Sequence, residues 1–207
     1  NLVTVRAVLD FDPLDLLPAK IPSLPDFARP ELLPPITLRA SAGEPEHVLP
    51  QSAVHALLTM LAFSRPDAPY AGIAQAREAC TKSSLAAFAW ELFHAWLAAG
   101  APSKESWAMA ALGALGDDEC ARKLAAKVRE WPGESAHARA VSGLDVLAAI
   151  GTDVALMHLH GIAQKVKFKG LQEKAREKID TIAEARGLTP DELADRLVPD
   201  LGLDDEG

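Results

Sequence analysis

The amino-acid pattern predicts an all-α fold: an α-solenoid of stacked antiparallel helix pairs, preceded by an extended proline-rich N-terminal arm. Three observations carry this. Nine of the fifteen prolines fall in the first fifty residues, whereas thirty-three of the thirty-eight alanines come afterwards. Beyond Pro50 the apolar residues recur at steps of three and four, the period of a helix with one buried side. A segment read as helix, glycine turn, acidic cap and helix then occurs twice at a spacing of 35 residues.

In the arm, Pro13, Pro18, Pro22, Pro25, Pro30, Pro34 and Pro35 remove backbone donors and fix φ, which prevents a long helix. Leu2 to Leu9 and Ile36 to Arg39 are compatible with brief β pairing, and Leu16, Leu17, Leu24, Phe27, Leu32 and Leu33 are the expected apolar anchors onto another surface. The expected organisation is an arm over 1–50, a helical repeat domain over 51–198 and an acidic linker over 199–207.

The first helix is signalled by Val54, Leu57, Leu58 and Leu61. The clearest stripe follows, with Leu85, Phe88, Ala89, Leu92, Phe93, Trp96 and Leu97 on one side, Glu91 and His94 on the other, and Gly100 and Pro102 as the stop. Ser83 and Ser84 are expected to cap this helix. Further helices are predicted over 104–115, 118–130, 136–150, 153–164 and 171–185. A last one follows Thr189, where Thr189-Pro190-Asp191-Glu192 has the form of a capping box.

The repeat consists of Leu112-Gly113-Ala114-Leu115-Gly116-Asp117-Asp118 and Leu147-Ala148-Ala149-Ile150-Gly151-Thr152-Asp153, after which Leu124 matches Leu159. The glycine is expected in a left-handed turn, and the aspartates at the positive end of the second helix. A helical pair of this length cannot bury both apolar sides alone, so neighbours are expected to stack on a continuous interior. The turn resembles that of HEAT-like repeats, with 51–79 and 83–115 as divergent earlier pairs.

A wider resemblance runs from Leu49 to Gly202. It is carried by Leu49-Pro50, Met60-Leu61, Phe88-Ala89-Trp90, Leu92-Phe93 with Trp96, Trp131-Pro132-Gly133-Glu134, Gly161-Ile162-Ala163-Gln164-Lys165 with Lys167-Phe168-Lys169, and Asp195-Arg196-Leu197-Val198-Pro199-Asp200-Leu201-Gly202. These phrases resemble the HEAT-like helical region of large bacterial MolR-like proteins. The resemblance implies a position ahead of a C-terminal domain of unknown function (family 4132), with a WGR module elsewhere in some members. It implies no catalytic residue.

Composition narrows the function classes. A formal net charge of −8 argues against a surface that binds nucleic acid or anionic lipid throughout. The longest uncharged stretch is broken by Pro50, Gln51 and His55, so no membrane span is expected. Cys80 and Cys120 stand apart without metal-ligand spacing and read as inert thiols of a reducing cytoplasm. The chain starts at Asn1 with no signal-peptide pattern, which reads as a piece of a longer polypeptide.

His158 and His160 point roughly 200° apart on a helix and cannot share an ion, so no metal is expected and His158 reads as a core or interface histidine. His55, His94 and His137 have no partner in sequence. No nucleophile elbow, phosphate loop or dinucleotide fingerprint is present, so neither enzyme activity nor a cofactor is expected. Asp117 and Asp118 read as caps, and Glu173, Glu177 and Asp180 as the wet side of their helix.

The candidate interaction surface is Lys165, Lys167, Lys169, Lys174, Arg176 and Lys178, with Arg176 and Asp180 spaced for an i, i+4 pair. Trp96, Trp90 and Trp107 read as core. Trp131 either pins its loop or, if exposed, marks a partner site. The leading expectation is a non-catalytic scaffold that positions neighbouring domains or binds a protein partner. The alternatives are nucleic-acid binding along the lysine ridge and, by fold analogy alone, an enzyme akin to helical-repeat DNA-repair proteins.

Overall fold

A computed structural model describes residues 23–40, 46–64 and 69–197. Among them the regular structure is entirely helical: α1 (Gln51–Phe63), α2 (Ala71–Ala79), α3 (Lys82–Ala98), α4 (Trp107–Leu115), α5 (Asp118–Glu130), α6 (His137–Ile150), α7 (Asp153–Lys165), α8 (Lys169–Ala185) and α9 (Pro190–Leu197). Short 3-10 turns occupy Asp26–Ala28, Pro30–Leu32, Ser103–Glu105 and Trp131–Glu134. The only β pairing among the described residues is two isolated antiparallel bridges, Thr37 with Val48 and Leu38 with Cys80. The chain divides into two compact units, one up to Gly116 and one from Asp117. This division falls inside the first copy of the repeat.

In the first unit, α1 packs against α2 and α4, and α3 against α4. The α3 stripe is buried from Leu85 through Phe88, Ala89, Leu92, Phe93 and Trp96, while Glu91 and His94 face solvent. Gly100, at φ +86, turns the chain out of α3, and the Trp96 indole donates to the Pro102 carbonyl at 3.0 Å, folding the following loop under the ring. Trp90 is half-buried against Phe93 and His94. Trp107 stacks on Phe27 with ring centroids 6.4 Å apart.

The described part of the arm belongs to this unit, but the residues it buries most deeply are not among the expected anchors, and one expected anchor is exposed. Ala28 and Ile36 are fully buried, Leu24, Phe27 and Leu33 are half-buried, and Leu32 is 59% exposed. A 3-10 turn advances about 120° per residue, so the turn that buries Ala28 and the turn that carries Leu32 present different sides. Leu16, Leu17 and Leu2 to Leu9 lie outside the described residues.

Residues 36–39 run extended between 47–49 and the α2–α3 corner. Leu38 N donates to His47 O at 2.7 Å and Leu49 N to Ile36 O at 2.8 Å; on the other side Arg39 N donates to Ala79 O and Thr81 N to Thr37 O, both at 2.8 Å. The Arg39 side chain donates to the carbonyls of Cys80 (2.8 Å) and Arg77 (3.0 Å), satisfying acceptors at the end of α2. The cap of α3 is Thr81 rather than Ser83 or Ser84, with its hydroxyl accepting from Ser84 N at 3.4 Å. The Ser84 hydroxyl instead accepts from Thr37 N at 3.0 Å and ties the arm to the helix.

The second unit has a layered order. Helices α5, α7 and α9 pack successively, α6 packs on α8, and each of these helices also meets its sequence neighbour within the unit. The two repeat turns share a register but not a conformation. Gly151 is left-handed at φ +64, whereas Gly116 is extended at φ −71. Asp117 caps α5, accepting from Glu119 N (3.1 Å) and Cys120 N (3.0 Å), but in the second copy the cap is Thr152, which accepts from Ala155 N at 3.3 Å. Asp118 and Asp153 are first helical residues, not caps. Gly151→Ala is therefore expected to destabilise the second unit by about 1–2 kcal/mol, the cost of a left-handed non-glycine backbone, read by chemical denaturation. That backbone cost does not arise for Gly116→Ala.

Candidate functional site

The basic cluster grows from the α7–α8 junction. Helix α7 ends at Lys165, Val166 and Lys167 form the connection, and α8 begins at Lys169 after Phe168. The structure separates the six expected basic residues into two sets.

Arg176, Lys174 and Lys178 are engaged within the unit. Arg176 Nε donates to the Ala163 carbonyl at 3.1 Å, while Gln172 donates to the Gln164 carbonyl at 3.0 Å, so α8 side chains satisfy the open carbonyls at the end of α7. The expected Arg176–Asp180 pair is accordingly absent among the described residues. Lys174 binds Glu177 at 2.6 Å, and this hydrogen bond holds its ammonium above the usual lysine range. Lys178 bridges to Asp145 of α6 at 2.6 Å.

Lys165, Lys167 and Lys169 are exposed and have no ion pair among the described residues. Phe168 stands between them, 36% exposed, with its ring edge-on to His137 at 6.0 Å. From residue 154 to residue 172 the chain contains no Asp or Glu. The remaining candidate, Trp131, does not belong to this surface. It is only 4% exposed, packed in the turn between α5 and α6 with the Arg139 guanidinium 5.6 Å over its ring. The exposure on which its partner-site reading depended is therefore not seen.

A second cationic group escaped the sequence reading. Arg129 of α5 lies across α7 at Gly161, its Nη2 3.7 Å from the point a Cβ would occupy there. Partial burial holds its guanidinium below the usual arginine value. His158, one turn before Gly161, is half-buried; burial first, then Arg129 and Arg122, hold its imidazole below the usual range. Arg122 pairs with Glu119 at 3.5 Å, and Lys123 reaches the same carboxylate at 3.3 Å. The sequence signals were the two-turn spacing of Arg122 and Arg129 and the acid-free run through α7, but only the fold brings α5 to His158.

His160 turns to Gln164, at 2.5 Å, and not to His158. No group of three His, Cys, Asp or Glu side chains among the described residues is placed to hold a metal. Both cysteines are buried. Desolvation raises the Cys80 thiol and pushes Cys120 up to about 11. Neither is expected to react with iodoacetamide at pH 8 in the folded protein, and both are expected to react after denaturation, as followed by mass spectrometry. No helix among the described residues is long and apolar enough to cross a membrane.

No family model matches the chain, and no solved structure matches it. It is similar to the protein named "Uncharacterized protein YehI" of Escherichia coli (strain K12), with 43% identity over 201 residues. The match covers 97% of this chain and 16% of that protein, so the chain spans about a sixth of the length of this curated relative.

Proposed function

We propose that this chain is a non-catalytic, HEAT-like helical scaffold within a larger bacterial cytoplasmic protein, where it positions neighbouring domains or binds a protein partner. The carrying observation is the order of the second unit, in which α5, α7 and α9 form one row and α6 and α8 another. Helix pairs stacked in this way give extended surface from local contacts alone. The much greater length of the Escherichia coli relative fits a segment that works among other domains. The resemblance to the helical region of MolR-like proteins belongs to the same reading.

The test is size-exclusion chromatography of the chain mixed with the separately purified remainder of its parent polypeptide. Co-elution at one-to-one stoichiometry is expected. Independent migration, with no other protein partner found by cross-linking in cells, would count against the scaffold.

A second reading is nucleic-acid binding at Lys165, Lys167 and Lys169, favoured by their exposure and by the lack of any acidic residue between 154 and 172. A mobility shift that weakens as salt rises supports it, because lysines on phosphates release counterions. The absence of any shift removes it.

A further inference from the structure

We propose that Arg129, Arg122 and His158 form a phosphate seat on the α5–α7 face, and that the phosphate belongs to a single nucleic-acid strand continuing over Lys165, Lys167 and Lys169. The course of the strand rests on the nucleic-acid reading above, whereas the seat rests on Arg129 lying over Gly161, one turn along α7 from His158.

Arg129 is the centre of the seat. Gly161 has no side chain, so the guanidinium reaches over α7, yet no carboxylate pairs with it among the described residues. A partly desolvated cation without a counterion is costly, and proteins ordinarily pair such a group. The neighbouring groups add to the excess. Arg122 lies two turns earlier on the same side of α5 and shares Glu119 with Lys123. His158 lies one turn before Gly161 on α7, close enough to both arginines for their charge to disfavour its protonation. The single acidic residue of α7 is Asp153, at its first position.

An oxyanion beside these groups balances the charge on Arg129, adds to the Glu119 carboxylate already facing Arg122, and favours the protonated form of His158. A guanidinium offers parallel N–H donors that match two oxygens of a phosphate, and an imidazolium donates to a third. The cations do not stop there. Lys165 follows His158 by two turns, about 10 Å along the helix, and Lys167 and Lys169 continue the series around the exposed Phe168. A linear polyanion carrying a flat ring at each repeat fits a series of cations beside a partly exposed aromatic ring, since base–aromatic stacking tolerates any base. An acidic peptide offers the charges but not the regular rings.

The experiment is fluorescence anisotropy with a labelled single-stranded dodecanucleotide across a salt series, together with NMR titration of the His158 ring. Arg129→Gln is expected to weaken binding about 10-fold, the loss of one charge-assisted contact. It should also flatten the slope of log affinity against log salt by about 0.7, one phosphate's share. Oligonucleotide should raise the His158 pKa in the wild type and leave it unmoved in Arg129→Gln. His158→Gln, on the other helix, should weaken binding in the same direction, and thermal melts confirm that both variants are folded.

Wild-type affinity in both variants, or a His158 pKa indifferent to oligonucleotide, overturns the seat. If in that case Lys165→Glu/Lys167→Glu/Lys169→Glu still abolishes binding, the lysine reading survives without the seat. Equal competition by decaglutamate overturns the choice of a nucleic-acid strand. A His158 response to inorganic phosphate, in a protein that binds no oligonucleotide, upholds the seat and overturns the strand.

Discussion

Trp131→Ala is expected to lower the stability of the second unit by about 3–5 kcal/mol, the usual cost of deleting a buried large aromatic. The indole is sealed between α5 and α6 under Arg139. The Trp131 backbone carbonyl accepts from Ala136 N at 2.9 Å, closing, through the left-handed Ser135, the turn in which the ring packs. Removing the ring leaves a void at the corner where α6 must leave α5. Trp131→Phe, which keeps an aromatic face for Arg139, should recover much of the loss. Urea unfolding followed by far-ultraviolet circular dichroism reads both. A Trp131→Ala protein with wild-type stability but weakened partner binding would return the residue to the interaction surface.

Phe88→Ala should cost the first unit a similar amount, about 3–5 kcal/mol. Phe88 is fully buried in the α3 stripe, and Leu85, Ala89 and Leu92 on the same helix are buried as well, so the truncation leaves a void inside the core. Glu91→Ala, on the wet side of α3, should stay within about 0.5 kcal/mol of the wild type. The same unfolding experiment separates the two, and equal effects at both positions would contradict the amphipathic placement of α3.

Much of the fold was legible because helices announce themselves through periodicity. The α3 stripe, the stop at Gly100 and the limits of α5 all follow local rules. So does the Thr189–Glu192 capping box, in which Thr189 N donates to Glu192 Oε2 at 2.7 Å and Glu192 N to Thr189 Oγ1 at 3.2 Å. That hydrogen bond from the Thr189 backbone holds the Glu192 carboxyl below its usual range.

Non-local contacts were illegible for the opposite reason. Leu32 and Ile36 are equally apolar in sequence, and only the partner surface decides that one is exposed and the other sealed. Arg176 is spaced for Asp180, yet its Nε donates to the open carbonyl of Ala163 on another helix. Arg129 reaches Gly161 on a neighbouring helix, one turn from His158, beyond the reach of any periodic pattern. Of the surface expected from sequence, Lys165, Lys167 and Lys169 are exposed without an ion pair among the described residues, whereas Arg176 and Lys178 reach other helices and Lys174 pairs within its own.

The clasp at Thr37 bears on the order in which the first unit assembles. Its backbone N–H meets Ser84 across a separation of 47 residues, and closing a loop of that length costs roughly 3 kcal/mol in chain entropy. Nothing repays this until the corner between α2 and α3 exists to receive the segment. Residues 36–39 are therefore expected to act as a latch that engages only after that corner has formed, an order that pulsed amide hydrogen exchange at Thr37 and Leu38 would read.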